Sequence, residues 1–338
     1  MKKYFIYSMF FVCCVSCSQN KEQIKDTNMG ITANNIVAKT VQQVQHYPKE
    51  PIYYLYVANS LCVYEILVND LPVHQNYKYE QLATPIYINR AILKSGRQKI
   101  TYRLYPAPKE FNGGSDVFDS DTQFDVTVYQ QDFKRPDADT EVLVKEEKLP
   151  IKKIQVGDKE SQTKEEFVAK GQKYYEYSFY FDAEVPYENE GWSNGEDLRK
   201  IDQDLLKQWV VKFYNLRKKT VEENNKDALA RQVFEGLKEQ FVSEYQERDY
   251  IKDAWNEFIT KYDNPTYQLQ PFENYKMEFF GDGRLVCLRQ ISNDARYREK
   301  SALFGKYKDE NGNTRADFHR LYLYLPKGEG LEYIQMIR

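Results

Sequence analysis

Three histidines, His46, His74 and His319, are the residues best suited to metal or proton chemistry, and they stand far apart with no helical or hairpin spacing to unite two of them. A zinc centre built mainly from His and Cys is therefore not expected. Asp116, Asp119 and Asp121 lie close together in one segment. Three carboxylates can hold calcium, but the segment lacks the spacing and central glycine of a twelve-residue calcium loop, so a solvated acidic loop is the favoured reading. No Gly-x-Ser-x-Gly, His-Glu-x-x-His, phosphate-binding or dinucleotide glycine pattern occurs. Glu278, Asp282 and Asp317 fall near the ends of expected strands and leave paired-carboxylate hydrolysis open, because such pairs are set in space. Arg284, Arg289, Arg315, Arg320 and Arg338 gather in the last strands. Strand alternation puts Arg320, Tyr322 and Tyr324 on one face, which suits either a solvated sheet face or a protein interface. Tyr54, Tyr56, Tyr64, Tyr102 and Tyr105 offer rings for sugar stacking, or for core and edge packing. No catalytic residue, metal or cofactor is assigned.

These groups need elements to hold them. The chain has 338 residues, 41% hydrophobic and 29% charged, enough for two folded domains. Its net charge of −3 lacks the basic footprint of a nucleic-acid binder. The 29 tyrosines and 19 phenylalanines suit sheets with one wet face. Residues 52–57 and 61–68 read as strands joined by a hairpin at Asn59-Ser60, with a turn at Asn69-Asp70. Ile100, Tyr102 and Leu104 alternate with Lys99, Thr101 and Arg103; Phe124, Val126 and Val128 alternate with polar residues, and so do Tyr175, Tyr177, Phe179 and Phe181. Such period-two strands predict an antiparallel sandwich over 48–188. Residues 133–172 carry Pro136, Pro150 and charge runs, which predict a long mobile insertion with one short strand at 151–156.

From 193 to 338 the period changes. Ser193 and Glu196 fit a capping box before Leu198, Ile201, Leu205, Trp209, Phe213 and Leu216 at helical spacing. Leu229, Val233, Leu237, Phe241 and Tyr245 predict a second helix; Ile251, Trp255, Phe258 and Ile259 predict a third, ending before Pro265, with Trp209 and Trp255 as core anchors. Gly281-Asp282-Gly283 and Asn311-Gly312 then mark hairpins in a closing meander. The expected fold class is an all-β sandwich domain followed by an α+β domain.

Lys2 and Lys3 precede an apolar run over 4–17, too short for a membrane span of about 20 residues. The run ends Cys14-Val15-Ser16-Cys17-Ser18. This resembles the lipobox of bacterial lipoproteins, with Cys14 where leucine usually sits. The resemblance implies a signal peptide at 1–16, palmitate-type acylation of Cys17, and an outer-membrane address, periplasm-facing or surface-exposed. That compartment would be oxidising, which leaves a Cys62–Cys287 disulfide open; each lies in an apolar strand pattern, and two separate buried thiols are favoured. Residues 18–47 are polar with no sustained apolar face, and 17–47 read as a flexible tether. Residues 66–73, 85–89, 93–96 and 100–104 resemble β-sandwich modules of galactose-binding-like topology and a module of uncharacterised envelope proteins, some encoded beside interbacterial toxin systems. Residues 279–288, 321–326 and 334–338 are similar to the carboxyl-terminal sheet of those same proteins, and the helix-then-sheet order resembles nuclear-transport-factor-like folds. Together these lead to a non-enzymatic, membrane-anchored envelope lipoprotein that binds a protein partner, with toxin immunity as one form. The alternatives are a glycan-binding lipoprotein with an aromatic sandwich surface and a carboxylate-dependent hydrolase.

Overall fold

The computed structural model describes residues 23–156 and 163–338. Strand outweighs helix, 33% against 23%, and the sheets are mostly antiparallel, so the chain is β-rich with a few helices. The elements run α1 (Ile36–Val41), β1 (Pro51–Ser60), β2 (Cys62–Val68), β3 (Leu71–Asn76), β4 (Ile86–Tyr87), β5 (Gly96–Pro106), β6 (Gln123–Asp132), β7 (Val142–Lys148), β8 (Ile151–Gln155), β9 (Thr163–Phe167) and β10 (Tyr175–Ala183). Then come α2 (Gln203–Glu222), α3 (Lys226–Ser243), α4 (Arg248–Thr260), β11 (Gln268–Leu269), β12 (Tyr275–Phe280), β13 (Leu285–Gln290), β14 (Phe304–Lys308), β15 (Thr314–Phe318), β16 (Leu323–Tyr324) and β17 (Gln335–Met336).

Two four-stranded sheets occupy the first half, in the orders β4-β1-β6-β7 and β10-β5-β2-β3. The alternation read from sequence holds here: Ile100, Tyr102, Leu104, Phe124, Val126 and Val128 all enter one apolar cluster with residues of both sheets. The expected β1–β2 hairpin does not form. Leu61 takes a left-handed backbone (φ 56°) and sends the chain from one sheet to the other, so β1 pairs with β4 and β6 while β2 pairs with β3 and β5. The Asn69-Asp70 turn does close the β2–β3 hairpin, both residues having positive φ as a type I′ turn requires. The segment expected to be a mobile insertion supplies β7, which pairs with β6, and the β8–β9 hairpin; residues 157–162 lie outside the described set.

Sheet β12-β13-β16-β17 connects the halves. Along β13, Leu285 and Cys287 join the apolar cluster of the first half, while Val286 and Leu288 pack with Leu206, Val210 and Phe213 of α2. Covered on both faces, β13 reads as a continuous apolar run. Two turns lock together beside it: the Gly281 N–H donates to the Asp70 carbonyl (3.0 Å), and the Asp282 N–H donates to Asp70 Oδ2 (2.9 Å). Gly281 has φ 59°, and a Cβ there would lie 2.6 Å from the Trp192 ring, so the turn tolerates only glycine without movement.

The last strands form two sheets rather than one meander, β14 and β15 pairing with β11 instead of continuing β13. Helix α2 is capped by Asp202, whose side chain accepts from the Leu205 N–H, not by Ser193, whose hydroxyl donates to the Glu190 carbonyl. The later start shifts the buried face: Leu205 and Leu216 are exposed, and Leu206, Val210, Tyr214 and Arg217 point inward. Trp209 and Trp255 are both buried. The polar segment expected to be a tether packs down over its described part. Ile31 and Ile36 cluster with Ala230, Val233 and Trp255, and Trp255 Nε1 donates to the Ala33 carbonyl (3.1 Å). Residues 1–22, including the expected signal peptide at 1–16 and Cys17, lie outside the described set.

Candidate binding groove

The face of β2 and β5 turned away from the first core carries Glu65 and Arg103, and β13 brings Arg289 down onto it. Arg289 Nη2 lies 2.6 Å from Glu65 Oε1, Nη1 3.3 Å from Glu278 Oε2 and Nε 3.4 Å from Glu299 Oε2. Arg103 reaches Glu65 (3.2 Å), Glu278 (3.1 Å) and Glu176 (2.9 Å), and Lys276 closes on Glu299 (2.9 Å). Glu65 and Arg289 are almost wholly buried. Burial pushes the Glu65 carboxyl up, but Arg289 beside it overrides this and leaves it below the usual carboxylate range. The face of β5 that alternation alone would leave wet is therefore sealed by a charge network.

Beside this floor runs an open groove of about 740 Å³. One wall is β3 and the residues after it, from His74 to Lys78; the other is Thr314, Arg315, Ala316 and Phe318 of β15. Tyr297 packs against Phe304 and Phe318, giving an aromatic base. A narrower extension of about 370 Å³ shares His74, Gln75, Lys300, Ala316 and Phe318 and adds Arg320 and Tyr322. The cations sort into two sets. Lys78 pairs with Glu80, Arg296 with Asp294 and Arg315 with Asp309, while Glu299 is held by Arg289 and Lys276. Lys300, Lys306 and Arg320 meet no carboxylate within ion-pair range among the described residues.

Burial first, and then the crowding of positive charge, lowers the basic groups here. Burial and the neighbouring Lys300, Arg320 and Arg90 hold His74 down to about 4, so it is neutral at pH 7. Burial, then Arg320 and Arg289, lower Lys300. Burial and Arg320 bring Arg90 down to about 10; its Nη2 donates to the Val73 carbonyl (3.2 Å). An anionic group entering here would relieve repulsion as well as gain attraction.

Of the residues singled out from sequence, Arg320 is exposed and lines the groove with half-buried Tyr322, whose ring meets Phe280 (5.7 Å). Tyr324 is parted from them. It lines a separate cavity of about 350 Å³ with Glu235 and Glu239, and its hydroxyl accepts from Gln335 Nε2 (3.1 Å). His74, Lys300 and Lys306 were not singled out as a group, and no local motif marks them; only the fold brings β3 beside β15.

The other candidates are placed as follows. Glu278 belongs to the buried network, Asp282 to the turn against Asp70, and Asp317 to Lys261 (2.7 Å) and Tyr267 (2.9 Å). Arg284 follows the β12–β13 turn, and Arg338 pairs with Glu239 (2.9 Å). Asp116 pairs with Lys109, Asp119 accepts from the Asp121 N–H (3.0 Å), and Asp121 lies 3.7 Å from Lys164. Among the described residues no group of three or more His, Cys, Asp or Glu converges on a metal-sized site. Cys62 and Cys287 are both free and buried. Tyr64 and Tyr102 are buried against Phe124, and Tyr105 is half-buried beside Arg298. Tyr54 sits between Tyr87 and Tyr129 in a cross-strand row with Tyr56 beside it; Tyr56 and Tyr87 are exposed. Among the described residues no helix is long and apolar enough to cross a membrane. Compared with models of protein families, with curated proteins and with solved structures, the chain matches none.

Proposed function

We propose that this chain is a non-enzymatic envelope lipoprotein, anchored in the outer membrane by acylated Cys17, whose groove between β3 and β15 binds a protein partner. In this reading residues 48–188 are a β-sandwich domain and 193–338 an α+β domain. The shared apolar cluster of the two four-stranded sheets supports the first, and the packing of α2 on sheet β12-β13-β16-β17 supports the second. The observation that carries the functional reading is the set of three unpaired cations, Lys300, Lys306 and Arg320, held in a concave, aromatic-based groove. Cations without counterions around aromatic rings are what a complementary acidic protein surface engages.

The test is mild crosslinking of the intact lipoprotein in its native envelope, compared with Lys300→Glu and Arg320→Glu. One stoichiometric protein, lost in both variants, is the expected result. Recovery of that protein unchanged in both would remove the groove from the account. Acyl chains on a peptide beginning at Cys17, read by mass spectrometry, test the anchor. Toxin immunity, as one form of this reading, requires that expression lower the toxicity of a single effector.

A second reading rests on Tyr56 and Tyr87, exposed on the outer sheet face and backed by buried Tyr54 and half-buried Tyr129, whose rings suit stacking on sugars. Binding of an envelope polysaccharide fraction, weakened by Tyr56→Ala and Tyr87→Ala, would support it. Failure to bind any such fraction would remove it.

A further inference from the structure

We infer that the partner is held by strand addition, an extended acidic peptide segment pairing with the free edge of β15 while its carboxylates reach Lys300, Lys306 and Arg320. This rests on the protein-partner reading above and specifies how it is met.

The edge follows from the hydrogen-bond pattern. β15 is the outer strand of sheet β11-β14-β15 and, among the described residues, pairs only with β14, Phe318 opposite Phe304 and Thr314 opposite Lys308. The His319 N–H donates to the Leu303 carbonyl (3.0 Å), and the Asp309 N–H donates to the Asn313 carbonyl (3.0 Å). In an antiparallel ladder bonded and non-bonded pairs alternate. Residues 313, 315, 317 and 319 thus bond toward β14, and the main-chain N–H and C=O groups of Thr314, Ala316 and Phe318 point away from it. Those three residues line the groove. A strand edge with an open row of donors and acceptors takes another strand readily unless it is blocked. Lysine often guards such an edge. Here the cations flank a groove about 740 Å³ in volume, which makes them a selector for acidic strands rather than a general block.

Charge decides the occupant further. Lys306 stands opposite Ala316 across the ladder, and Lys300 and Arg320 lie where the groove narrows. A strand laid on β15 presents alternate side chains to the groove base, where Phe318 and Tyr297 accept apolar ones, and carries its acids toward the three cations.

The probe is a short peptide of alternating Glu and Val, titrated into the full chain and followed by amide NMR and calorimetry. A peptide of alternating Lys and Val serves as the control. The expected result is shifts and exchange protection at Thr314, Ala316 and Phe318 with the Glu peptide only, lost when ionic strength reaches about 1 M and charges are screened within about 3 Å. Ala316→Pro removes an N–H that the β14 ladder does not use, and should weaken binding about tenfold for each main-chain bond lost. N-methylation of alternate peptide amides should do the same with the protein unchanged, which guards against a misfolded proline variant. Equal binding of the Lys peptide, or shifts confined to Lys300 and Arg320 that survive N-methylation, would overturn strand addition. So would tight binding of an acidic polysaccharide indifferent to Ala316→Pro. A crosslinked envelope protein that is lost with Lys300→Glu but retained with Ala316→Pro would leave the protein-partner reading standing and remove this one.

Discussion

Replacing Arg289 by methionine keeps most of the side-chain volume and removes the charge at the centre of the network joining the halves. Three cations, Arg103, Lys276 and Arg289, meet four carboxylates, Glu65, Glu176, Glu278 and Glu299. The substitution takes the cluster from one excess negative charge to two, with Glu65 2% exposed at its side chain. At an effective dielectric near 20, one pair about 4 Å apart is worth about 4 kcal/mol, and Arg289 touches three carboxylates. The removed desolvation of the guanidinium offsets part of this, and the remaining loss is about 3–5 kcal/mol. Urea unfolding followed by tryptophan fluorescence should show the midpoint fall with the slope unchanged. Arg289→Lys should recover only part of it, because an ammonium cannot fork to several carboxylates. The pH dependence has a definite sign. The Glu65 carboxyl sits below its ordinary 4.5 in the folded chain. Its contribution is therefore complete above about 4.5 and is lost as pH falls through the lower folded value, so wild type and variant should converge in acid. Lys94→Ala breaks the exposed pair with Glu188 and should cost under about 1 kcal/mol, as a control. An Arg289→Met loss no larger than that control would refute the reasoning.

Further outcomes follow from the same structure. Burial pushes the Cys62 thiol up to about 12 and raises Cys287 as well, so thiol labelling at pH 8, read cysteine by cysteine, should reach neither until the chain unfolds; rapid native labelling of either would contradict their burial. Trp255→Ala should cost about 3–5 kcal/mol and expose residues 24–47 to proteolysis, because the indole holds Ala33, Ile31 and Ile36; an unchanged digestion pattern would count against that packing. His74 should titrate near 4 by NMR, and since its folded value lies below the ordinary 6.5, stability should decline as pH drops from about 6.5 toward 4. A midpoint near 6.5 would contradict both the burial of the ring and the action of the surrounding cations on it.

Single-element patterns were legible in the sequence where one face of a strand meets one core. The alternation of Ile100, Tyr102 and Leu104 matches the buried face of β5, and Gly281-Asp282-Gly283 does form the β12–β13 turn. What the pattern leaves out is which partner lies on the other face. Arg103 reads as a wet residue by alternation, yet Glu278 and Phe280 of β12 lie against it. Asn59-Ser60 reads as a hairpin, but the apolar residues on both sides belong to opposite sheets, and a left-handed Leu61 serves the crossing better than a reversal. The capping reading at Ser193 failed because Asp202 offers the same chemistry nearer the apolar run. The described tether residues are polar in composition, and the two isoleucines that anchor them form no period. The groove was half legible: Arg320 and Tyr322 share a face by alternation, while His74 and Lys300 reach them only through the packing of β3 beside β15.

Hydrogen exchange on the chain alone and in its crosslink-free complex with the co-purified partner addresses the groove most directly. The account predicts new protection over 74–78, 295–300 and 314–320, with little change at Tyr54, Tyr56, Tyr87 and Tyr129. Protection confined to that tyrosine face, with the β3–β15 groove exchanging as freely as in the chain alone, would contradict it.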